Sequence, residues 1–209
     1  MTCKSRGRTW SGIVVALAVM VLGLGSARAA PILDQQQLVY NGGTSARTLP
    51  EYTVWQSFTA GISGILREID MGFFNDMSGA ALLQIFAGDG TMGTLLQSLN
   101  VPVTGITQTP VTWNVWGVDV SVVARSHYTF NIIPDAATLP DPYGVAIGDP
   151  NPYVGGVMGG NDPTGSHRTD FDVVFRTFVD PAVAVVPEPA TLALLGLGLS
   201  ALACRKARG

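Results

Sequence analysis

Two carboxylates held a few ångströms apart can cleave a glycosidic bond, and this chain offers Glu51, Glu68, Asp70, Asp170 and Asp172 for such a pair. One of the two must protonate the leaving oxygen while the other stabilises or attacks the sugar. Ser166, His167 and Asp170 have the residue types of a hydrolytic triad. Close neighbours in sequence seldom supply triad geometry, and no G-x-S-x-G or oxyanion motif accompanies them. Gly88-Asp89-Gly90-Thr91-Met92-Gly93 reads G-x-G-x-x-G. A dinucleotide site needs a helix to start there, and Pro102, Gly105 and Pro110 break that option, so a hairpin turn is the better reading. The expectation is therefore a non-catalytic chain, with a glycan-processing hydrolase as the remote alternative.

Binding chemistry is easier to find. Between positions 135 and 172 stand Asp135, Asp141, Asp149, Asn151, Asn161, Asp162, Asp170 and Asp172, interleaved with Pro and Gly. Hard oxygen ligands on loops suit Ca²⁺, yet no fixed ligand spacing is present and turn chemistry explains Asp and Asn beside Pro and Gly. No cofactor or metal ligand set is assigned, and calcium stays an alternative. Trp113, Trp116, Tyr143 and Tyr153 could offer flat rings to the C–H faces of a sugar. Trp116, Tyr143 and Tyr153 are the glycan contacts named here, with Trp113 in the core. Asn114 joins them, since it shares Trp116's face if the strand runs on unbroken.

Strands must position these groups. Positions 54–59 are rich in strand formers, and Ile65, Arg67, Ile69, Met71 and Phe73 alternate with their neighbours as a half-buried strand does. Positions 81–86 suit a central strand. Val111, Trp113 and Val115 share one parity and Trp116, Val118, Val120 and Val122 the other, which places a bulge or break at Val115–Trp116. Tyr128, Phe130 and Ile132 form another alternating set, and positions 143–147 a shorter strand. Phe171, Val173, Phe175, Thr177 and Val179 read as one final strand. No long amphipathic helix intervenes. The body is expected to be all-β, a jelly-roll-like antiparallel β-sandwich over positions 30–180, flanked by a helix at each end of the chain.

The two ends differ from the body. Lys4, Arg6 and Arg8 precede an apolar run from Ile13 to Leu24, and Ala27-Arg28-Ala29 offers an A-x-A cleavage site. Positions 1–29 read as a secretory signal peptide cut after Ala29. At the other end a linker over 181–186 leads into Pro187-Glu188-Pro189. An uncharged stretch from Ala190 to Cys204 follows, then Arg205-Lys206-Ala207-Arg208-Gly209. The prolines forbid a helix through Glu188. As a helix the apolar stretch spans about 22 Å, short for a bilayer, and the basic cluster acts as a positive-inside stop.

Once the ends are set aside, the composition changes. The mean hydropathy of +0.32 owes much to them. The body keeps five arginines and no lysine against fourteen carboxylates, a net charge of −9. Such a surface repels nucleic acid. Both cysteines, Cys3 and Cys204, lie in the ends, so the body has neither a disulfide nor a thiol nucleophile.

The order Pro187-Glu188-Pro189, short Leu/Ala/Gly stretch, basic cluster over 187–209 resembles the PEP-CTERM sorting signal of Gram-negative bacteria. The resemblance implies a membrane-embedded exosortase and the secretion machinery as partners. It also implies a precursor held transiently in the inner membrane, and a product at the cell surface or in the matrix, associated with exopolysaccharide or biofilm.

Overall fold

The computed structural model describes residues 30–46, 53–106, 111–139, 143–162 and 165–182. Both expected terminal helices, the cleavage residues Ala27 and Ala29, Glu51, Asp141 and the whole of 183–209 lie outside these. No helix among the described residues is long and apolar enough to cross a membrane.

Thirteen strands are described: β1 (Ile32–Gln37), β2 (Gly42–Ala46), β3 (Thr53–Thr59), β4 (Gly64–Phe74), β5 (Met77–Ala87), β6 (Thr94–Gly105), β7 (Thr112–Val122), β8 (His127–Pro134), β9 (Tyr143–Gly148), β10 (Met158–Asp162), β11 (Gly165–Arg168), β12 (Asp172–Val173) and β13 (Phe175–Pro181). They form two antiparallel sheets. One runs β1-β13-β4-β9-β12, with β2 also paired to β9 and β7 to β4. The other runs β11-β10-β3-β8-β5-β6. The all-β sandwich is as expected. Pro181, assigned to the linker, still pairs with Gly64 at the end of β13.

Alternation explains why these segments are strands with a buried face. Val101 and Val103 of β6, Leu83 and Ile85 of β5, and Phe130 and Ile132 of β8 point inward from one sheet. They meet Leu66, Ile69, Met71 and Phe73 of β4, Trp116, Val118, Val120 and Val122 of β7, and Phe175 and Val179 of β13. Phe130 and Phe175 meet edge to face across the sheets, centroids 5.5 Å apart. The G-x-G-x-x-G stretch is the β5–β6 turn, where Gly88 and Gly90 adopt φ of +93° and +76°, a region costly to any residue with a Cβ.

Three expectations about phase are corrected. β7 is a single strand with even-numbered residues inward throughout, and no break falls at Val115–Trp116. The irregularity falls further along: Leu66 pairs with Val120 but Glu68 with Gly117, so Val118 and Asp119 of β7 stand opposite Arg67 of β4, while Arg67 has no opposite number in β13. Leu66 therefore faces inward, and after the bulge Ile69, Met71 and Phe73 do, while Ile65 does not. The expected final strand is two, because Val174 lies between β12 and β13. Its N–H bonds to Ala146 O, and its carbonyl accepts from Gly72, as the chain passes from β9 to β4.

Candidate functional site

The aromatic residues named for glycan contact are not on the surface. Trp116 is 3% exposed and donates its indole N–H to Pro102 O at 2.9 Å. Asn114 does share its face, but that face is inward. Its amide takes the Thr104 N–H at 2.8 Å and donates to Thr104 O at 2.8 Å. The side chain thus imitates a neighbouring strand along the edge of β6. Tyr143 is fully buried, and Tyr153 is buried against Phe175, with its hydroxyl bonded to Gln35 Oε1 at 2.9 Å. Burial pushes the Tyr153 hydroxyl up to about 12. These four assignments are corrected on physical grounds, since a sugar platform needs a face open to solvent. The continuous alternation of β7 reverses the two tryptophans: Trp116 is core, and Trp113 is half-exposed on the outer face.

That outer face carries the first carboxylate cluster. Register places Arg176 opposite Asp70, and Asp70 opposite Val115. Arg176 donates from Nε to Asp70 Oδ2 at 2.8 Å, with Nη2 2.5 Å from the same oxygen. Its guanidinium lies 4.3 Å above the Trp113 ring and 5.9 Å from that of Phe178. This is a cation–π seat closed by an ion pair. Asp70 is buried, and its Oδ1 has no donor. Glu68 lies two residues back on the same strand, paired with Gly117 as Asp70 is with Val115. Burial, then the charge of Asp70, pushes the Glu68 carboxyl up. Burial also raises Asp70, while Arg176 opposes it. Asp70 is thus engaged by Arg176 on one oxygen, with Glu68 beside it on β4.

The second cluster lies between the sheets. Asp172 is fully buried. Oδ1 accepts from Gln56 Nε2 at 2.9 Å and Oδ2 from the Tyr153 N–H at 2.8 Å. Asn151 adds an amide N–H to Oδ2 at 2.6 Å, in the amide orientation that satisfies both groups. Gln56 in turn accepts the Val173 N–H at 2.8 Å. The network joins β3, β12 and the segment leading to β10. Burial raises the Asp172 carboxyl, and the N–H donors hold it down.

The remaining residues from the loop chemistry are accounted for locally. Asp135 accepts from Ala137 N and Thr138 Oγ1, as a turn-forming aspartate does. Asn161 donates to Thr91 Oγ1 at 3.1 Å, and Asn41 grips the backbone of Asp149. Asp170 is exposed, and its carbonyl accepts from Asn151 N. Ser166 and His167 belong to β11, opposite Asn161 and Gly160, not to a loop. Their side chains and that of Asp162 lie outside the described residues. Among the described residues no three His, Cys, Asp or Glu side chains gather where they could hold a metal ion. The Arg176–Asp70–Trp113 grouping was missed by sequence reasoning. Its members are more than forty residues apart, and only the pairing of β4 with β13 and β7 brings them together.

No curated protein and no solved structure matches this chain. The family model of the PEP-CTERM protein-sorting motif matches residues 185–208, a stretch that includes Pro187, Glu188, Pro189, Arg205, Lys206 and Arg208. The chain therefore carries a PEP-CTERM protein-sorting motif, which makes it an exported protein sorted by exosortase through the membrane.

Proposed function

We propose that the sandwich is a non-catalytic structural module of the cell surface or extracellular matrix, working within the exopolysaccharide layer of a biofilm. One observation carries the reading: the groups that could do chemistry are turned to holding the fold. Trp116 and Asn114 close the edge of β6, Asp172 ties the two sheets, and Asp70 holds Arg176 over Trp113. A lysine-free body with a net charge of −9 is soluble and self-repelling, as suits a spacer in a hydrated matrix.

A carbohydrate-binding role keeps one specific support, the half-exposed Trp113 beside exposed Val115 on the outer face. Neutral glycan suits that face better than an anionic one, which needs Ca²⁺ to bridge it to an acidic body. A pull-down of the processed protein with host exopolysaccharide, with and without Ca²⁺, separates the readings. No retention in either condition is expected of the spacer. Retention lost in Trp113→Ala would replace it with a glycan-binding module. Polysaccharide cleavage abolished by Glu68→Gln would replace it with a hydrolase.

A further inference from the structure

The strand register brings one end of the sandwich into focus. There the seven-stranded sheet terminates at Ile32, Pro181, Gly64 and Val122, and the six-stranded sheet at Thr59, His127, Ala87 and Thr94. The connections 60–63 and 123–126 join the sheets at this end. The large apolar side chains exposed on it include Ile32, Leu33, Leu95, Leu96 and Val123, at 46%, 43%, 47%, 42% and 57%, and Met92 of the β5–β6 turn. Ala182, the last described residue, is held at the same end by its N–H to Ser63 O at 2.9 Å.

The charged groups at this end are four aspartates, Arg67, His127 and Arg125. Asp34 accepts the Gly61 N–H at 2.9 Å, Asp89 faces His127 at 3.0 Å, and Asp119 and Asp180 face Arg67 at 2.9 and 3.6 Å. Arg125 stands exposed on the turn between β7 and β8, its N–H bonded to Ala60 O at 2.6 Å. Its φ is +69°, a conformation that glycine or asparagine adopts at less cost. The turn thus accepts backbone strain and presents a guanidinium.

Beyond Ala182 the chain reaches Ala190, where the uncharged stretch begins, in eight residues. Fully extended, eight residues span at most about 26–29 Å. We propose that this end of the sandwich seats on the phospholipid surface that holds the tail. Ile32, Leu33, Leu95, Leu96 and Val123 enter the headgroup region, and Arg125 meets lipid phosphate. The inference rests on the reading of residues 190–204 as membrane-embedded. It adds to that reading a fixed orientation of the body. Apolar side chains flanked by a cation suit a membrane interface, and the tether supplies a high local concentration for a contact that is weak alone.

The test uses the leader-cleaved chain from Ala30 to Gly209 with Cys204→Ser, in vesicles of phosphatidylglycerol and phosphatidylethanolamine containing a headgroup-level quencher lipid. One environment-sensitive label is placed at Val123→Cys and, in a second preparation, at Ala137→Cys in the turn after β8 at the opposite end. Severalfold stronger quenching at position 123 than at 137 is expected, reduced by Arg125→Ala and by Leu33→Asn with Leu96→Asn. Equal quenching, with the chain still retained by vesicles after alkaline washing, overturns the orientation while leaving the tail in the membrane. Failure of the chain to stay with the vesicles removes the membrane reading and the proposal together. Shielding of position 123 that depends on protein concentration and not on lipid assigns this end to a second copy of the chain instead.

Discussion

Asp172 and Asp70 are both buried carboxylates, and they are stabilised in opposite ways. Asp172 sits between the sheets and is held by neutral N–H donors on both oxygens. Asp70 lies under the outer face, with one oxygen against Arg176 and the other without a donor. Deep in the interior a guanidinium would need its own solvation, whereas amide donors fixed by β3 and β12 need none. Near the surface a cation can keep one side in water and rest the other on Trp113. The inner aspartate ties separate strands together, and the outer one clamps a lid on a sheet already paired.

The comparison is broken most directly at the inner site. Asp172→Ala leaves the Tyr153 N–H and one of the two Gln56 amide hydrogens buried without an acceptor, the other still reaching Ser57 O. At ~1–3 kcal/mol for each stranded group, a loss of roughly 3–5 kcal/mol is expected in a urea melt. A loss under about 1 kcal/mol there would show that water satisfies the network and that Asp172 is no tie.

At the outer site Arg176→Ala strands Asp70, but a third of the arginine side chain is exposed, so screening limits the effect to about 1–3 kcal/mol. Adding Asp70→Asn should restore most of that loss. A double-mutant cycle with no coupling would refute the clamp.

The pH dependence sharpens the comparison, because both sites shift in the same direction. Asp34, Glu68, Asp70 and Asp172 are all raised in the folded protein, burial being the first cause in each. The folded state therefore holds these protons more tightly than the unfolded chain. The resulting stability is complete below the ordinary carboxylate range, near pH 4, and is lost as pH rises through the raised values. Tm should fall from pH 4 to pH 7, the reverse of common acid denaturation. Melts that show a steady rise over that interval would contradict the assignment.

The smallest effect is expected at the lid itself. Trp113→Leu keeps apolar area and removes the cation–π contact, a loss of about 0.5–1 kcal/mol. Trp116→Leu, by contrast, strands Pro102 O and opens the core, and should cost several times more. Equal losses at the two tryptophans would mean that the inward and outward assignments along β7 are reversed.

The two tryptophans also show where sequence reading stops. Period-two alternation located β7, but Val111, Trp113 and Val115 gave it a second apolar parity, and alternation alone cannot say which parity faces in. The answer came from Gly72, Asp70 and Glu68 opposite the odd-numbered residues, a pairing of strands far apart in the chain. The bulge was expected in β7, because that strand changes parity in sequence. It lies further along, where Val118 and Asp119 of β7 face Arg67 of β4, and Arg67 is in turn the extra residue of β4 against β13. Strands β1, β2, β6, β10 and β11 carried weak local signals. Pro102 in β6 is tolerated because β6 is an edge, a fact of strand order that no local pattern contains.

By itself the sequence determined what local chemistry can determine. Prolines around an acidic residue, an uncharged stretch and a terminal basic cluster are contiguous, so the sorting motif is readable as a string and is matched as one. The all-β class was likewise legible, since alternation and Gly/Pro turns act within a few residues. The roles of the body's polar and aromatic side chains were decided only by tertiary structure. Whether a tryptophan is platform or core, and whether an aspartate is ligand, base or tie, depends on what lies across the next strand or the facing sheet. Those neighbours are set by long-range register, which carries no local signature.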